Sequence, residues 1–121
     1  MRRFAGTGSE LAAKGALAAA ISADPTGSPR QAIVLRDQAG VLRAYVNRCR
    51  HLPIPLDGGS QRFFDDSGDL LMCGTHGALY RREDGLCVEG PCRGLSLRPL
   101  PVSEDPDGTI WIEDALPFRA G

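Results

Sequence analysis

At 121 residues, with 42% hydrophobic and 24% charged side chains, the chain is long enough for one domain with a modest core and too short for two. A formal net charge of −1 and an isoelectric point near 6.1 leave no basic stripe for nucleic acid, and the balance is that of an ordinary globular chain rather than a disordered one. No apolar run approaches the ~20 residues that a membrane-spanning helix requires.

Met1-Arg2-Arg3 ahead of Leu17-Ala18-Ala19-Ala20-Ile21-Ser22-Ala23 has the outline of a basic start and a small-residue cleavage site. Glu10 and Lys14 interrupt it and most of the apolar run is alanine, so the expected location is the cytoplasm. Ser9 is placed to cap a short helix over 9–14 that Gly15 ends. By propensity the alanine run over 16–23 suits a helix, yet Asp24-Pro25-Thr26-Gly27-Ser28-Pro29 is a turn signal typical between strands, and a strand is the reading. Ala32-Ile33-Val34-Leu35 and Val41–Val46 flank Asp37-Gln38-Ala39-Gly40 as a hairpin.

Pro53 and Pro55 stiffen the next loop, and Asp57-Gly58-Gly59-Ser60 turns the chain away. Residues 61–68 read as an outward excursion, with Phe63 and Phe64 either packed under the loop, the preferred reading, or exposed as a docking surface. Asp69–Met72 is a strand, Ala78–Arg81 leads away from the loop that follows it, and Glu83-Asp84-Gly85 makes a further hairpin turn before a third loop at Gly90-Pro91-Cys92-Arg93-Gly94. Alternation in Leu95–Arg98 and in Thr109–Glu113, around Asp105-Pro106-Asp107-Gly108, predicts two closing strands. The expected fold is all-β: one domain over 1–121, an antiparallel sandwich or barrel-like body with a small metal-binding subdomain inserted at about 47–80.

The chemistry lies in that insertion. Cys49 and His51 form one CxH pair and Cys73 and His76 a CxxH pair; these are the only two histidines, each within three residues of a cysteine, with 21 residues between the pairs. Thiolate and neutral imidazole both donate to borderline metals, and two short loops can converge their tips. The residues can merely coexist, or hold a tetrahedral zinc, for which a CxH spacing is tight. They also suit a two-iron, two-sulfide rhomb held between the loops, and this reading is taken.

Asn47-Arg48-Cys49-Arg50-His51, then Cys73-Gly74-Thr75-His76-Gly77-Ala78-Leu79-Tyr80, then Gly90-Pro91 resemble the Rieske iron–sulfur domain over about residues 30–113, in its ferredoxin-type branch. The resemblance implies a [2Fe–2S] cluster with Cys49 and Cys73 on one iron and His51 and His76 on the other. It implies an edge strand at the alanine run and Pro91 lying against one flank of the cluster. Respiratory members place a disulfide between the cluster loops at positions held here by Ile54 and Thr75, so that bridge is absent and a reducing compartment follows. Cys87 and Cys92 are expected as reduced side chains near the covering loop, with a mutual disulfide as the alternative. Respiratory members also have a serine and a tyrosine that donate to cluster sulfurs, at positions occupied here by Ala78 and Tyr80.

Two thiolates offset the 2+ of an oxidised [2Fe–2S] core and neutral imidazoles add nothing, so such a site goes from 0 to −1 on reduction. An all-cysteine site goes from −2 to −3. Adding the electron is easier in the mixed site, which places family potentials at roughly −150 to +300 mV against about −400 mV for plant-type clusters. No activated nucleophile or phosphate-cradling loop is visible. The resemblance therefore implies a one-electron carrier, not an enzyme by itself, that takes electrons from a flavin-dependent reductase and passes them to a terminal oxygenase or similar oxidoreductase. The alternatives are a non-redox accessory subunit like the small subunit of nitrite reductase, or a zinc-binding module. Asp65, Asp66, Asp69, Glu83 and Asp84 are candidates for steering a basic partner, or plain solvated loops.

Overall fold

The computed structural model describes residues 2–23, 27, 29–49, 55–57, 62–74 and 77–113. Within them lie β1 (Arg2–Thr7), α1 (Gly8–Lys14), β2 (Leu17–Ile21), β3 (Arg30–Arg36), β4 (Leu42–Val46), β5 (Leu70–Met72), β6 (Leu79–Arg81), β7 (Cys87–Glu89), β8 (Val102–Glu104) and β9 (Thr109–Glu113). All pairings are antiparallel, in three three-stranded sheets ordered β1-β9-β8, β2-β3-β4 and β5-β6-β7. The all-β expectation holds. None of the described helices is long and apolar enough to cross a membrane.

Strand β3 organises the interior because it is covered on both faces. Successive side chains of a strand point to opposite sides. Ala32 and Val34 accordingly enter one core with Leu17, Ala19, Ile21, Ile110 and Ile112, while Ile33 and Leu35 enter a second with Tyr45, Leu71, Tyr80, Leu97 and all four cysteines. A strand buried on both faces reads as a continuous apolar run, which is why Ala32–Leu35 lacks alternation. Its neighbour β2 is half-covered and alternates, with Leu17, Ala19 and Ile21 buried and Ala18 and Ala20 exposed. Pairing with β3, Leu17 opposite Val34 and Ile21 opposite Arg30, overrides the helix propensity of alanine.

Three local features differ from the sequence reading. The helix cap is Thr7, not Ser9: Thr7 Oγ1 accepts from Glu10 N at 3.1 Å and donates to Glu10 Oε1 at 3.3 Å, a variant of the capping box. Gly15 ends the helix as expected, left-handed at φ 81°. Arg2 and Arg3 belong to β1, which pairs with β9. The closing strand is Val102–Glu104 rather than Leu95–Arg98, which makes only isolated bridges, Leu86 with Ser96 and Tyr45 with the adjoining Pro99. The backbone bonds of Leu95–Arg98 are spread over three segments: Leu95 O accepts from Cys87 N at 2.7 Å, Leu97 N donates to Gly85 O at 2.9 Å, and Arg98 O accepts from Val46 N at 2.8 Å. The hairpin expected at Glu83-Asp84-Gly85 is present, and its returning strand β7 is the third strand of the sheet that carries the second loop. Most of the expected turn at 24–29 lies outside the described residues.

Candidate metal centre

Strand β4 delivers the first loop, and Asn47 at its end closes it. Buried at 5% exposure, Asn47 accepts from Leu56 N through Oδ1 at 2.8 Å. Its Nδ2 donates to Asp57 Oδ1 at 3.2 Å and to Gln31 Oε1 at 3.4 Å. Residues 47 and 56, on either side of the first ligand motif, are thereby held together. Leu56, fully buried, passes the constraint on, because its carbonyl accepts from Gly74 N in the second loop at 2.9 Å. One amide side chain and one carbonyl thus tie the two loops to each other. Asn47 entered the sequence reading only as part of a motif, and Asp57 only as part of a turn; neither was given this role.

The second loop springs from β5. Cys73 N donates to Ala78 O and Gly77 N donates to Cys73 O, both at 2.8 Å, with Gly77 left-handed at φ 71°. Cys49 and Cys73 are both buried and share one core. His51 and His76 lie outside the described residues, as do Pro53, Ile54 and Thr75.

Behind the sulfurs stands Tyr80 of β6, fully buried, with Oη 3.4 Å from Cys49 Sγ and 2.9 Å from Cys92 Sγ. Cys92 Sγ donates to Cys87 Sγ at 3.3 Å, and Cys87 Sγ to Glu89 O at 3.2 Å. Both cysteines are reduced. Burial, reinforced by the Cys92 hydrogen bond, pushes the Cys87 thiol up to about 11, so it stays protonated at neutral pH. Ala78 is fully buried and the third loop rests on its backbone: a Cβ built on Gly90, at φ 106°, would meet Ala78 Cα at 2.8 Å. Pro91 is exposed beside it and Cys92 is buried.

Phe63 packs into the core of the site, and Phe64 is half-buried beneath the Arg82 guanidinium, 4.3 Å from the ring centroid. Neither offers the free aromatic face that a docking surface would need. Several of the acidic candidates are already paired: Asp66 with Arg62 at 3.4 Å, Glu83 with Arg81 at 3.2 Å, and Asp84 with the same Arg81. The Arg81 hydrogen bond holds the Asp84 carboxyl below the usual range, and the Ser67 hydroxyl does the same for Asp65.

Chemically, the described residues fit an iron–sulfur group. They supply two buried sulfur donors on two loops fastened together, in an otherwise apolar core, with a phenol hydroxyl against one sulfur. A family model, Rieske [2Fe-2S] domain, matches residues 9–101. No curated protein matches the chain. Solved structures do. The terminal oxygenase of carbazole 1,9a-dioxygenase from Novosphingobium sp. KA1 superposes with a TM-score of 0.71 at 20% identity, over 99% of this chain and 31% of that one. Apo dicamba monooxygenase gives 0.64 at 27% identity, over 97% and 34%. A reduced complex between oxygenase and ferredoxin in carbazole 1,9a-dioxygenase gives 0.65 at 21% identity, over 92% and 27%. The chain spans about a third of the length of these structures. With the family model covering most of the chain and the sheets matching those of Rieske-containing oxygenase components, the protein belongs to the Rieske [2Fe–2S] domain family, whose cofactor is a [2Fe–2S] cluster.

Proposed function

We propose that the chain is a one-electron carrier whose cluster is held by Cys49 and Cys73 on one iron and by His51 and His76 on the other. The observation that carries this reading is the pairing of Cys49 and Cys73 in one buried core, on loops tied through Asn47, Leu56 and Gly74. When bound, the cluster supplies a reversible one-electron step. The protein's own part is to hold the two loop ends fixed, to exclude water from the sulfurs, and to aim the Tyr80 hydroxyl at Cys49. With Ala78 where a second donor would stand, the potential sits below respiratory values, because a donor favours the reduced, more negative state.

The partners in this proposal are a flavin-dependent reductase upstream and a terminal oxygenase or similar oxidoreductase downstream, with the cytoplasm as the compartment. Supporting the oxygenase is the likeness to oxygenase components, one of them solved as a complex with ferredoxin. Four cysteines held as thiols are compatible with a reducing compartment. Purified protein should be red-brown, hold two irons and two sulfides per chain, and give a rhombic electron paramagnetic resonance signal when reduced. A colourless protein carrying zinc would refute the assignment.

A further inference from the structure

Tyr80 has one phenolic proton and two sulfurs in front of it. Cys49 Sγ lies at 3.4 Å and Cys92 Sγ at 2.9 Å, the latter within even the O–H···O range of about 2.5–3.0 Å although sulfur is the larger atom. The Cys92 proton is directed elsewhere. It points to Cys87 Sγ at 3.3 Å, and the Cys87 proton in turn to the Glu89 carbonyl at 3.2 Å. A donor chain running from Tyr80 through Cys92 and Cys87 to a backbone oxygen leaves Cys92 facing Tyr80 with a lone pair. All three side chains are buried, Tyr80 at 0%, Cys87 at 1% and Cys92 at 3% exposure, so water does not replace these contacts cheaply. The two acceptors differ in kind: a metal-held sulfur is the more charged and a thiol sulfur is the nearer.

We propose that Cys92 is a positioning residue for Tyr80, competing with Cys49 for the phenolic proton and thereby holding the cluster potential below the value that Tyr80 alone would set. The inference rests on the reading of Cys49 as a cluster ligand. Only that part of the Tyr80 hydrogen bond that reaches Cys49 offsets the negative charge gained on reduction, and Cys92 diverts the rest. Cys87 contributes by receiving the Cys92 proton, which keeps the Cys92 lone pair on Tyr80.

The test is voltammetry on the loaded protein, with iron and sulfide content measured in parallel. Cys92→Ala should raise the potential by the equivalent of about a threefold change in the one-electron equilibrium constant, or about 28 mV at 59 mV per tenfold. In a Tyr80→Phe background the same substitution should do nothing, and Tyr80→Phe should lower the potential further in Cys92→Ala than in the parent. Cys92→Ser, which keeps an acceptor in place, should stay near the parent value. A potential that is unchanged or lowered in Cys92→Ala overturns the proposal. So does an equal rise in the Tyr80→Phe background, which would mark an effect of packing alone. Should Cys92→Ala fail to fold, Cys87→Ala serves instead: the Cys92 proton is then free to turn to Tyr80 Oη, and the potential should rise, an unshifted value being fatal. A parent protein with no iron or sulfide would refute the electron-carrier reading itself; a loaded parent with an unshifted Cys92→Ala refutes only the competition.

Discussion

The two cores on either side of β3 are built from different materials. The body core, between the β1-β9-β8 and β2-β3-β4 sheets, consists of leucine, isoleucine, valine and alanine. The core beneath the loops holds both tyrosines and all four cysteines, and polar side chains stitch its edges: Asn47 to Leu56, Tyr45 to the Arg82 carbonyl at 2.6 Å, and Tyr80 to two sulfurs. Aliphatic packing is non-directional and accepts any side chain of the right volume, whereas a hydrogen bond fixes distance and angle. The body can therefore be edited for stability with little effect on the site. In the second core, a substitution that leaves the fold standing should still be felt at the cluster.

The largest test of that contrast sets a proposed ligand against a body residue. Cys49→Ala or Cys73→Ala should abolish the visible absorption, since one iron would be left with three ligands. Ile110→Ala should cost about 2–5 kcal/mol in chemical denaturation while leaving the absorbance per folded molecule intact. A Cys49→Ala protein with its full spectrum would end the ligand assignment. The next effect belongs to the third loop. At Gly90 a side chain meets both a positive φ and the Ala78 backbone, while Gly94 has a similar φ of 92° but nothing within 4 Å. Gly94→Ala should then show strain alone, ~1–3 kcal/mol, and Gly90→Ala that plus a comparable packing penalty, with weakened cluster retention. Equal melting temperatures for the two variants would show that the third loop does not bear on Ala78.

The body and the site were legible in the sequence for different reasons. Strand pairs joined by a compact turn, such as β3 and β4 around Asp37–Gly40, carry their signal locally: the buried Asp37 carboxylate accepts from Ala39 N and Val41 N at 2.9 and 3.0 Å. β1 carries none, because its partner β9 is the last of the described strands and only a long-range pairing makes Arg2–Thr7 extended. Leu95–Arg98 alternates convincingly and still forms no ladder, because its backbone groups are divided among Cys87, Gly85 and Val46 instead of one partner strand. At the candidate metal centre the ligand proposal comes from the Cys and His spacing in the sequence itself. The Asn47 clamp and the Cys92–Tyr80 contact were not legible there, since each depends on chain segments nine or more residues apart meeting in space.

Tyr45 sharpens the comparison by pH. Burial pushes its hydroxyl up to about 12, with Asp84, Glu83 and Asp37 adding to the rise and Arg43 opposing it. Its value in the unfolded chain is about 10. A raised folded value means the native state holds the proton more tightly, so this contribution is complete below about pH 10 and is lost as pH climbs toward 12. Denaturation midpoints should fall across that window more steeply in the parent than in Tyr45→Phe, which loses ~1 kcal/mol at neutral pH with its hydrogen bond. Parallel curves would mean that the phenol does not stay neutral in the fold.

The smallest effect is expected where the second core is least polar, at Ala78. Its carbonyl accepts from Cys73 N at 2.8 Å, so the Cβ stands at the base of the loop that carries Cys73. A hydroxyl added there is fully buried and must find an acceptor, and in a Rieske site the sulfur-rich group between the loops is one that becomes more negative on reduction. A hydrogen bond to a charged group contributes about 1.5–3 kcal/mol, but only the part that differs between oxidation states moves the potential. Taking roughly 1 kcal/mol and about 59 mV per 1.4 kcal/mol, Ala78→Ser should raise the potential by on the order of 40 mV. The close approach of Gly90 makes the space tight, so a modest loss of thermal stability should accompany the shift. A loss of stability with no change in potential would mean that the hydroxyl points away from the cluster, and that backbone amides and burial rather than side-chain donors set its value.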